Sequence, residues 1–303
     1  MKCYYHSDAD GIESAHQVLL HWRKLNPNYE FNKYDFVRVD HRSKINIYEI
    51  YTNETVFIVD FSFKPEVLRE LLKITKNVIW IDHHISAIEA YDGFEHDIWG
   101  IRKDGIAASM LAYIYFNHMV EGNDYGNPKE FNSSYIKKAQ MITKYISLRD
   151  TGDYIPGDDV DLFTTAFHAI DIITPNDDIL YKLHDDVYAT LLLNMDGPSM
   201  FRYKNTMNAR YINSRGFKCK FEGYNAYACN ISLVGSDAFD KLVNKDKYDI
   251  LITFIFTGEF YNYTIYPVKE GIEAYKIAEK YGGGGHSGSA AFRSKELLLK
   301  KVG

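Results

Sequence analysis

Three short apolar runs in the first third of this chain end in the same way. "MKCYY" runs into His6, Asp8 and Asp10, "TVFIVD" ends on Asp60, and "NVIWIDHH" ends on Asp82, His83 and His84. Short stretches this rich in β-branched and aromatic residues are the pattern of buried strands. Between them Ile12, Ala15, Leu19 and Trp22 recur at helical spacing, and "PEVLRELLKIT" forms a second helical stretch opened by Pro65. Strand and helix alternating at this pitch predict a mostly parallel sheet with helices on both faces. Ligands of open α/β sheets bind at the carboxyl edge of the strands, which is where all three groups of acids and imidazoles fall.

The rest of the chain fills out an α/β architecture. Helices are predicted at "GIAASMLAYIYFNHM", "SSYIKKAQMITKYISL" and "DDILYKLHDDVYATLLLNM", followed by a charged helical connector, "DGPSMFRYKNTMNARYINSRGFKC". Strands then follow at "NAYACNIS", "YDILITFIF" and "FYNYTIYPV", with a helix at "IEAYKIAEKY" and the run "GGGGHSGSAAF". A boundary near residue 200 gives a first domain over 1–200 and a smaller α/β domain over 201–303. With 303 residues, 46% of them hydrophobic, the chain has material for both cores.

Charge and cysteine content narrow the function classes. The net charge of −6 is spread along the chain without a lysine or arginine block. A phosphate-bearing partner is therefore expected to be small, or gripped by metal rather than by a basic surface. No signal-peptide succession and no apolar run of transmembrane length is present, so a cytoplasmic location without a membrane partner is the expectation. Cys3, Cys219 and Cys229 lack CxxC spacing, which argues against a zinc knuckle and a disulfide framework.

Taken singly, each acid or imidazole has an ordinary explanation. Asp10 before Gly11 suits the cap of a helix starting at Ile12, Asp60 suits a turn, and paired histidines are commonly surface or satisfied core residues. Three strand ends that all finish in ligand-type side chains are a different matter, because caps have no reason to recruit histidine. If the backbone stays extended, residues 6, 8 and 10 share one side. Carboxylates and imidazoles without thiolate suit Mn²⁺ or a similar divalent ion better than a structural zinc. Two such ions about 3.5–4 Å apart can activate a water and neutralise charge developing on a phosphoryl group, so phosphoester hydrolysis is the matching chemistry. At the other end of the chain, four consecutive glycines before His286 let backbone N–H groups approach a phosphate or base. Without the lysine and following hydroxyl residue, this run is not a Walker loop.

These motifs resemble those of the DHH phosphoesterases. "HSDADG", the Val59–Asp60 pair and "DHH" at 82–84 are similar to their first three motifs, and "GGGGHSGSAAF" to the glycine-rich signature of their DHH-associated C-terminal domain. The resemblance runs in the same order over nearly the whole chain. It implies a fourth-motif aspartate, for which "ISLRDTGDY" supplies Asp150, with Asp153 in reserve. It also implies two divalent ions, Mn²⁺ foremost with Mg²⁺ or Co²⁺ as substitutes. His6, Asp8 and Asp60 would hold one ion, and Asp10, Asp60, His83 and Asp150 the other, with Asp60 bridging. His84 would act beside the metals on a substrate phosphate or leaving oxygen, and Asp82 would orient a neighbouring imidazole. Gly283, Gly284, Gly285 and His286 would contact substrate, with the active site in a cleft between the domains.

Two departures bear on the substrate. Where many relatives carry serine and arginine in the strand before the final helix, this chain has Thr264 and Tyr266, and the usual Ala-Ala-Gly-Phe ending lacks its glycine. A bidentate phosphate clamp is thereby lost, and Thr264 and Tyr266 stand as altered substrate contacts. Arg102, Lys103 and Arg149 are the nearest basic candidates to compensate, each also readable as a solvated surface charge. The reading that follows is a Mn²⁺-dependent phosphoesterase acting on short oligonucleotides or small nucleotides, oligoribonuclease-like. A cyclic dinucleotide phosphodiesterase is the alternative, and a non-catalytic nucleotide-binding protein of the same fold comes from another class. A homodimer is compatible with either enzyme.

Overall fold

Alternate residues of the apolar runs are sorted onto opposite faces of one sheet. In the computed structural model, which describes residues 1–40, 43, 45–126, 129–172, 174–232, 234–239 and 243–302, the strands β1 (Lys2–His6), β2 (Phe36–Val39), β3 (Val56–Val59) and β4 (Val78–Ile81) pair in parallel in the order β2-β1-β3-β4. Cys3, Tyr5, Phe57, Val59, Ile79 and Ile81 join one core cluster with Ile12, Ala15 and Val18 of α1 (Ala9–Leu25). Tyr4, Val56, Ile58, Val78 and Trp80 join the other, against Leu68, Leu71 and Leu72 of α2 (Pro65–Ile74). The period-2 alternation is why β3 and β4 are apolar throughout: both faces are covered. Removal of one leucine side chain from water contributes roughly 1.5–3 kcal/mol, against about 1 kcal/mol for a typical cap. Packing therefore holds α2, whose preceding Lys64 makes no side-chain cap.

The first core is completed by α3 (Ile85–Glu89), α4 (Ala108–Ile114), α5 (Met141–Thr151), α6 (Asp159–Phe167), α7 (Asp178–Leu183) and α8 (Asp186–Met195), most of which contribute to the α1 side. Several helices are shorter than their hydrophobic patterns predict. The stretch after α4 is a π turn, Tyr115–Met119, and α5 is preceded by a separate 3₁₀ turn, Ser133–Lys138. The long pattern at 177–195 is broken at His184, where Asp185 caps α8 by accepting from Val187 N. The helix α6 and the strand β5 below fall in stretches whose sequence announces neither.

The chain divides into two compact units, Met1–Met200 and Phe201–Gly303, with the division inside α9 (Gly197–Arg215). The second unit holds a seven-stranded sheet built from β5 (Gly216–Phe221), β6 (Tyr224–Asn230), β7 (Ile250–Phe256), β8 (Tyr261–Pro267), β9 (Gly284–Gly285), β10 (Ala290–Ser294) and β11 (Lys300–Lys301). The order is β11-β5-β6-β7-β8-β10-β9, antiparallel except for the β6–β7 pair. Phe254, Tyr263 and Phe292 stack across β7, β8 and β10, with Tyr281 closing the row after α10 (Ala274–Glu279). Among the described residues, no helix is long and apolar enough to cross a membrane.

Candidate metal centre

Strand register brings the first residues of the site level with one another. Tyr5 pairs with Val59 and Val59 with Ile81, so His6, Asp60 and Asp82 each stand one residue further along, at the carboxyl edge. The order β2-β1-β3-β4 reverses direction at β1 and β3, and that switch point is where an open parallel sheet leaves a crevice.

The opening motif folds differently from its sequence reading. The helix α1 starts at Ala9, and its cap is Asp8, whose Oδ1 accepts from Gly11 N at 3.0 Å. Asp10 is therefore inside the helix and does not cap it, and the extended alternation of residues 6, 8 and 10 ends at Asp8. The buried carboxylate of Asp10 instead accepts from Ala108 N at 2.8 Å and Ser109 N at 3.0 Å, at the start of α4. Those paired N–H groups suit a carboxylate better than a turn would, since they are the unsatisfied donors of a helix start. Gly11 has no alternative at this junction, because a Cβ there would lie 2.2 Å from His6 O.

Asp60 is the middle of the site. It has a φ of 52°, in the left-handed region, and is buried, and neither of its carboxylate oxygens accepts a hydrogen bond. Its Oδ2 lies 3.7 Å from His6 Nδ1 and its Oδ1 lies 3.3 Å from His83 Nε2. On one side, His6 Nδ1 is 2.7 Å from Asp8 Oδ2. On the other, His83 Nε2 is 3.3 Å from Asp150 Oδ2 and 3.7 Å from Asp10 Oδ2. His6, Asp8 and Asp60 present ligand atoms within 4.8 Å of one another, and so do Asp10, His83 and Asp150. Asp150 comes from the last turn of α5, and it is Asp150 rather than Asp153 that meets His83.

Asp82 and His84 form the layer behind. Asp82 Oδ1 accepts from His83 N at 2.8 Å and His84 N at 3.2 Å, and it lies 2.8 Å from His84 Nδ1. Its Oδ2 is 3.3 Å from Trp80 Nε1. The imidazole it orients is therefore that of His84, whose Nδ1 stands 3.8 Å from Asp60 Oδ1.

The electrostatics are those of too many acids in too little water. Burial lifts Asp60 well above the usual carboxylate range, and Asp8 and Asp10 add to the lift. Burial likewise raises Asp10, against the pull of His83, and pushes Asp150 to about 7 with Asp10 as the next contributor. On the histidines burial acts downward but is outweighed. Asp60 and Asp8 raise His6 to about 10, Asp10 and Asp150 raise His83, and Asp82 raises His84. Asp82 resists its own burial through His84 and stays at about 2, and Asp8 is lowered mainly by His6. A cluster that retains protons to offset its own charge is one that divalent cations can discharge, releasing those protons. The oxygen and imidazole donors, the two oxygens of Asp60 turned to His6 and His83, and the two flanking sets fit such ions.

The expected contacts of the second unit lie within its sheet. Gly284 and Gly285 form β9 against Ala291 and Ala290, and His286 N donates to Ser289 O at 2.7 Å. A Cβ on Gly283 would lie 2.1 Å from Ala291 O, so close strand packing alone accounts for that glycine. Thr264 faces Thr253 and Ala291 across the ladder, and Tyr266 OH donates to Val234 O at 2.9 Å. Of the basic candidates of the first unit, Arg102 lies over the Trp80 ring and donates to Trp80 O and Trp99 O, and Arg149 pairs with Asp161 at 2.7 Å, while Lys103 is exposed beside the Phe131 ring.

Sequence reasoning passes over Arg38, exposed on β2, which donates to Ser7 O at 2.7 Å and braces the turn between His6 and Asp8. Its place one strand from the HSD motif is a signal only once β2 is known to pair with β1. The reasoning also passes over Glu13, fully buried three residues after Asp10.

No protein-family model and no curated protein matches the sequence. Solved structures do. A DHH domain described as a member of the S1p family of ribosomal proteins aligns over 95% of this chain and 81% of its own, at 15% identity and a TM-score of 0.55. A pGpG-specific phosphodiesterase from Vibrio cholerae aligns over 97% and 94% at 13% identity, with a TM-score of 0.48. The exonuclease RecJ bound to manganese aligns over 96% and 84% at 13% identity, with a TM-score of 0.44. With a parallel sheet ordered β2-β1-β3-β4, a DHH triplet at the end of β4 and a mostly antiparallel second sheet, the chain has the fold of the DHH-domain proteins.

Proposed function

We propose that this protein is a metal-dependent hydrolase of phosphoester bonds, using two divalent ions of which Mn²⁺ is the preferred one. Asp60 carries the reading: a buried carboxylate with no hydrogen bond, in a left-handed backbone conformation, turning one oxygen to each of two ligand groups. A fold does not keep such a group for its own stability. His6, Asp8 and Asp60 would hold one ion, and Asp10, Asp60, His83 and Asp150 the other. Ions held there would supply charge neutralisation for a phosphoryl group and an acidified water as nucleophile. His84, aligned by Asp82, contributes a hydrogen bond to a phosphate or leaving oxygen beside them.

The proposed substrates are short oligonucleotides or small nucleotides. The scattered net charge of −6, without a basic block, supports short substrates over long strands. Recognition is assigned to the glycine-rich segment, with His286 as its side-chain contact. A linear dinucleotide, the smallest of the short oligonucleotides, comes first on the panel to be tried. The test is hydrolysis of bis-p-nitrophenyl phosphate, pGpG, short RNA, a cyclic dinucleotide and 3′-phosphoadenosine 5′-phosphate, with Mn²⁺ and with a chelator. Turnover that needs the ion and vanishes in Asp60→Ala supports the reading. Full activity of that variant, or no hydrolysis of any ester by the wild type, refutes it. In His286→Ala, a raised KM with kcat retained is the expected pattern.

A further inference from the structure

The contact between α1 and α5 is polar at a place where two packed helices normally meet through apolar side chains. Glu13, Gln17 and Thr143 are 0%, 2% and 0% exposed. Glu13 Oε1 accepts from Thr143 Oγ1 at 2.8 Å and from Gln17 Nε2 at 2.9 Å, and Gln17 Nε2 also lies 3.4 Å from Thr143 Oγ1. Glu13 Oε2 meets His184 Nε2, at the end of α7, at 3.1 Å. One buried carboxylate thus ties α1, α5 and the α7 terminus together. Its charge is balanced by His184, and burial of such a pair gains little over well-packed apolar residues, so stability alone gives a weak reason for it.

Helical spacing connects this knot to the metal centre. Asp10, Glu13 and Gln17 fall at i, i+3 and i+7 along α1, while Thr143 and Asp150 fall at i and i+7 along α5, so each set shares one face of its helix. Asp150 is carried on the last turn of α5, and its carboxylate lies 3.3 Å from His83 Nε2. Its position is therefore set by where α5 lies on α1. Apolar contact is non-directional and permits a helix to slide or turn by a fraction of an ångström. A carboxylate that accepts from donors on two helices does not.

We infer that Glu13 is a positioning residue: through Thr143 it fixes the register of α5 on α1 and so holds Asp150 against His83 as a ligand of one of the two ions. This rests on the reading of the centre given above. It requires the two ions to respond differently to a change at Thr143, because His6 and Asp8 sit at the end of β1 and the cap of α1, whereas Asp150 is carried by α5 itself.

The test is calorimetric titration of MnCl₂ into the full-length, chelator-stripped protein, with circular dichroism and melting curves as folding controls. Wild type takes up two ions. Thr143→Val, which keeps the volume and removes the hydroxyl, is expected to keep one ion at wild-type affinity and to bind the second at least tenfold more weakly. Thr143→Ser is expected to restore the second ion. Glu13→Gln is titrated in the same way, and decides if Thr143→Val does not fold. A folded Thr143→Val or Glu13→Gln protein that binds both ions as wild type does overturns the inference and leaves the two-ion reading intact. Equal weakening of both ions, or loss of fold in both variants, marks the knot as structural and also overturns it. A wild type that binds fewer than two ions overturns the reading of the centre itself.

Discussion

Replacing Asp60 with asparagine should make the metal-free protein more stable while removing its response to metal. The carboxylate is buried and stands among Asp8, Asp10 and Asp150, and the nearest donors, His83 Nε2 at 3.3 Å and His6 Nδ1 at 3.7 Å, satisfy it poorly. A buried polar group left unsatisfied costs about 1–3 kcal/mol, and a charged one more. Asparagine keeps the volume, tolerates the φ of 52° and offers N–H donors to the surrounding carboxylates. Taking about 2 kcal/mol as the gain, a unit of this size at about 2–4 °C per kcal/mol should melt about 4–8 °C higher in chelator. Wild type with Mn²⁺ at a hundredfold excess over its Kd should gain about 2.7 kcal/mol from binding, and the variant should gain little. The two melting curves should therefore change places when Mn²⁺ replaces the chelator, as read by calorimetry or thermal-shift fluorescence. An Asp60→Asn protein that melts at or below wild type in chelator, or that Mn²⁺ stabilises as strongly as wild type, would refute the reasoning.

The same charge balance makes the chelated protein lose stability as pH rises from about 6.5 to 9, measured by urea midpoints across that range. His6, with a folded value of about 10, together with His83 and His84, stabilises the fold fully below the unfolded histidine value near 6.5, and this is lost as pH rises toward the folded values. Asp10, Asp60 and Asp150 act in the same sense but starting lower, from the unfolded carboxyl range of about 4, and the Asp150 part is lost as pH rises through its folded value of about 7. Mn²⁺ should flatten or reverse the trend. Asp82→Asn, which leaves the His84 ring and two backbone N–H groups with a weaker acceptor, should lower kcat by about 10–100-fold with both ions still bound, as followed by steady-state kinetics beside metal titration. Arg149→Met should destabilise by about 3–5 kcal/mol, since Asp161 is 2% exposed and would lose its counter-charge, and this is read from urea unfolding.

The candidate metal centre was legible in large part because its residues sit where short-range pattern meets topology. A strand that ends in His-x-Asp, another in Asp and a third in Asp-His-His need only be parallel and adjacent for their ends to meet, and the βαβ rhythm says that they are. Asp150 was reached through resemblance, since nothing local distinguishes it from Asp153. The glycine-rich run was visible as sequence, but two explanations fit it. The structure accounts for Gly283 by the close approach of β10 and leaves the recognition role to experiment.

What the patterns missed involves partners far apart in the chain. Asp10 looked like a cap, and its true partners are N–H groups at Ala108 and Ser109, which only the packing of α4 on α1 brings near. The helix α6 carries Asp161 and Thr164 on its buried side, so its hydrophobic period is interrupted and no strong amphipathic signal remains. The Tyr266 hydroxyl donates to Val234 O, a partner 32 residues away that the strand pattern does not announce, and its substrate role is left to experiment.

The sequence by itself determined the class of fold and the donor set of the candidate centre, because strand polarity, hydrophobic period and the choice of oxygen and nitrogen donors are all local properties. Tertiary structure alone decided which oxygen faces which partner. It set the Asp60 carboxylate between His6 and His83, put Asp10 against a second helix and placed Glu13 between α1 and α5. Each of these is a matter of a few ångströms between residues tens to more than a hundred positions apart, and no local pattern encodes such a distance.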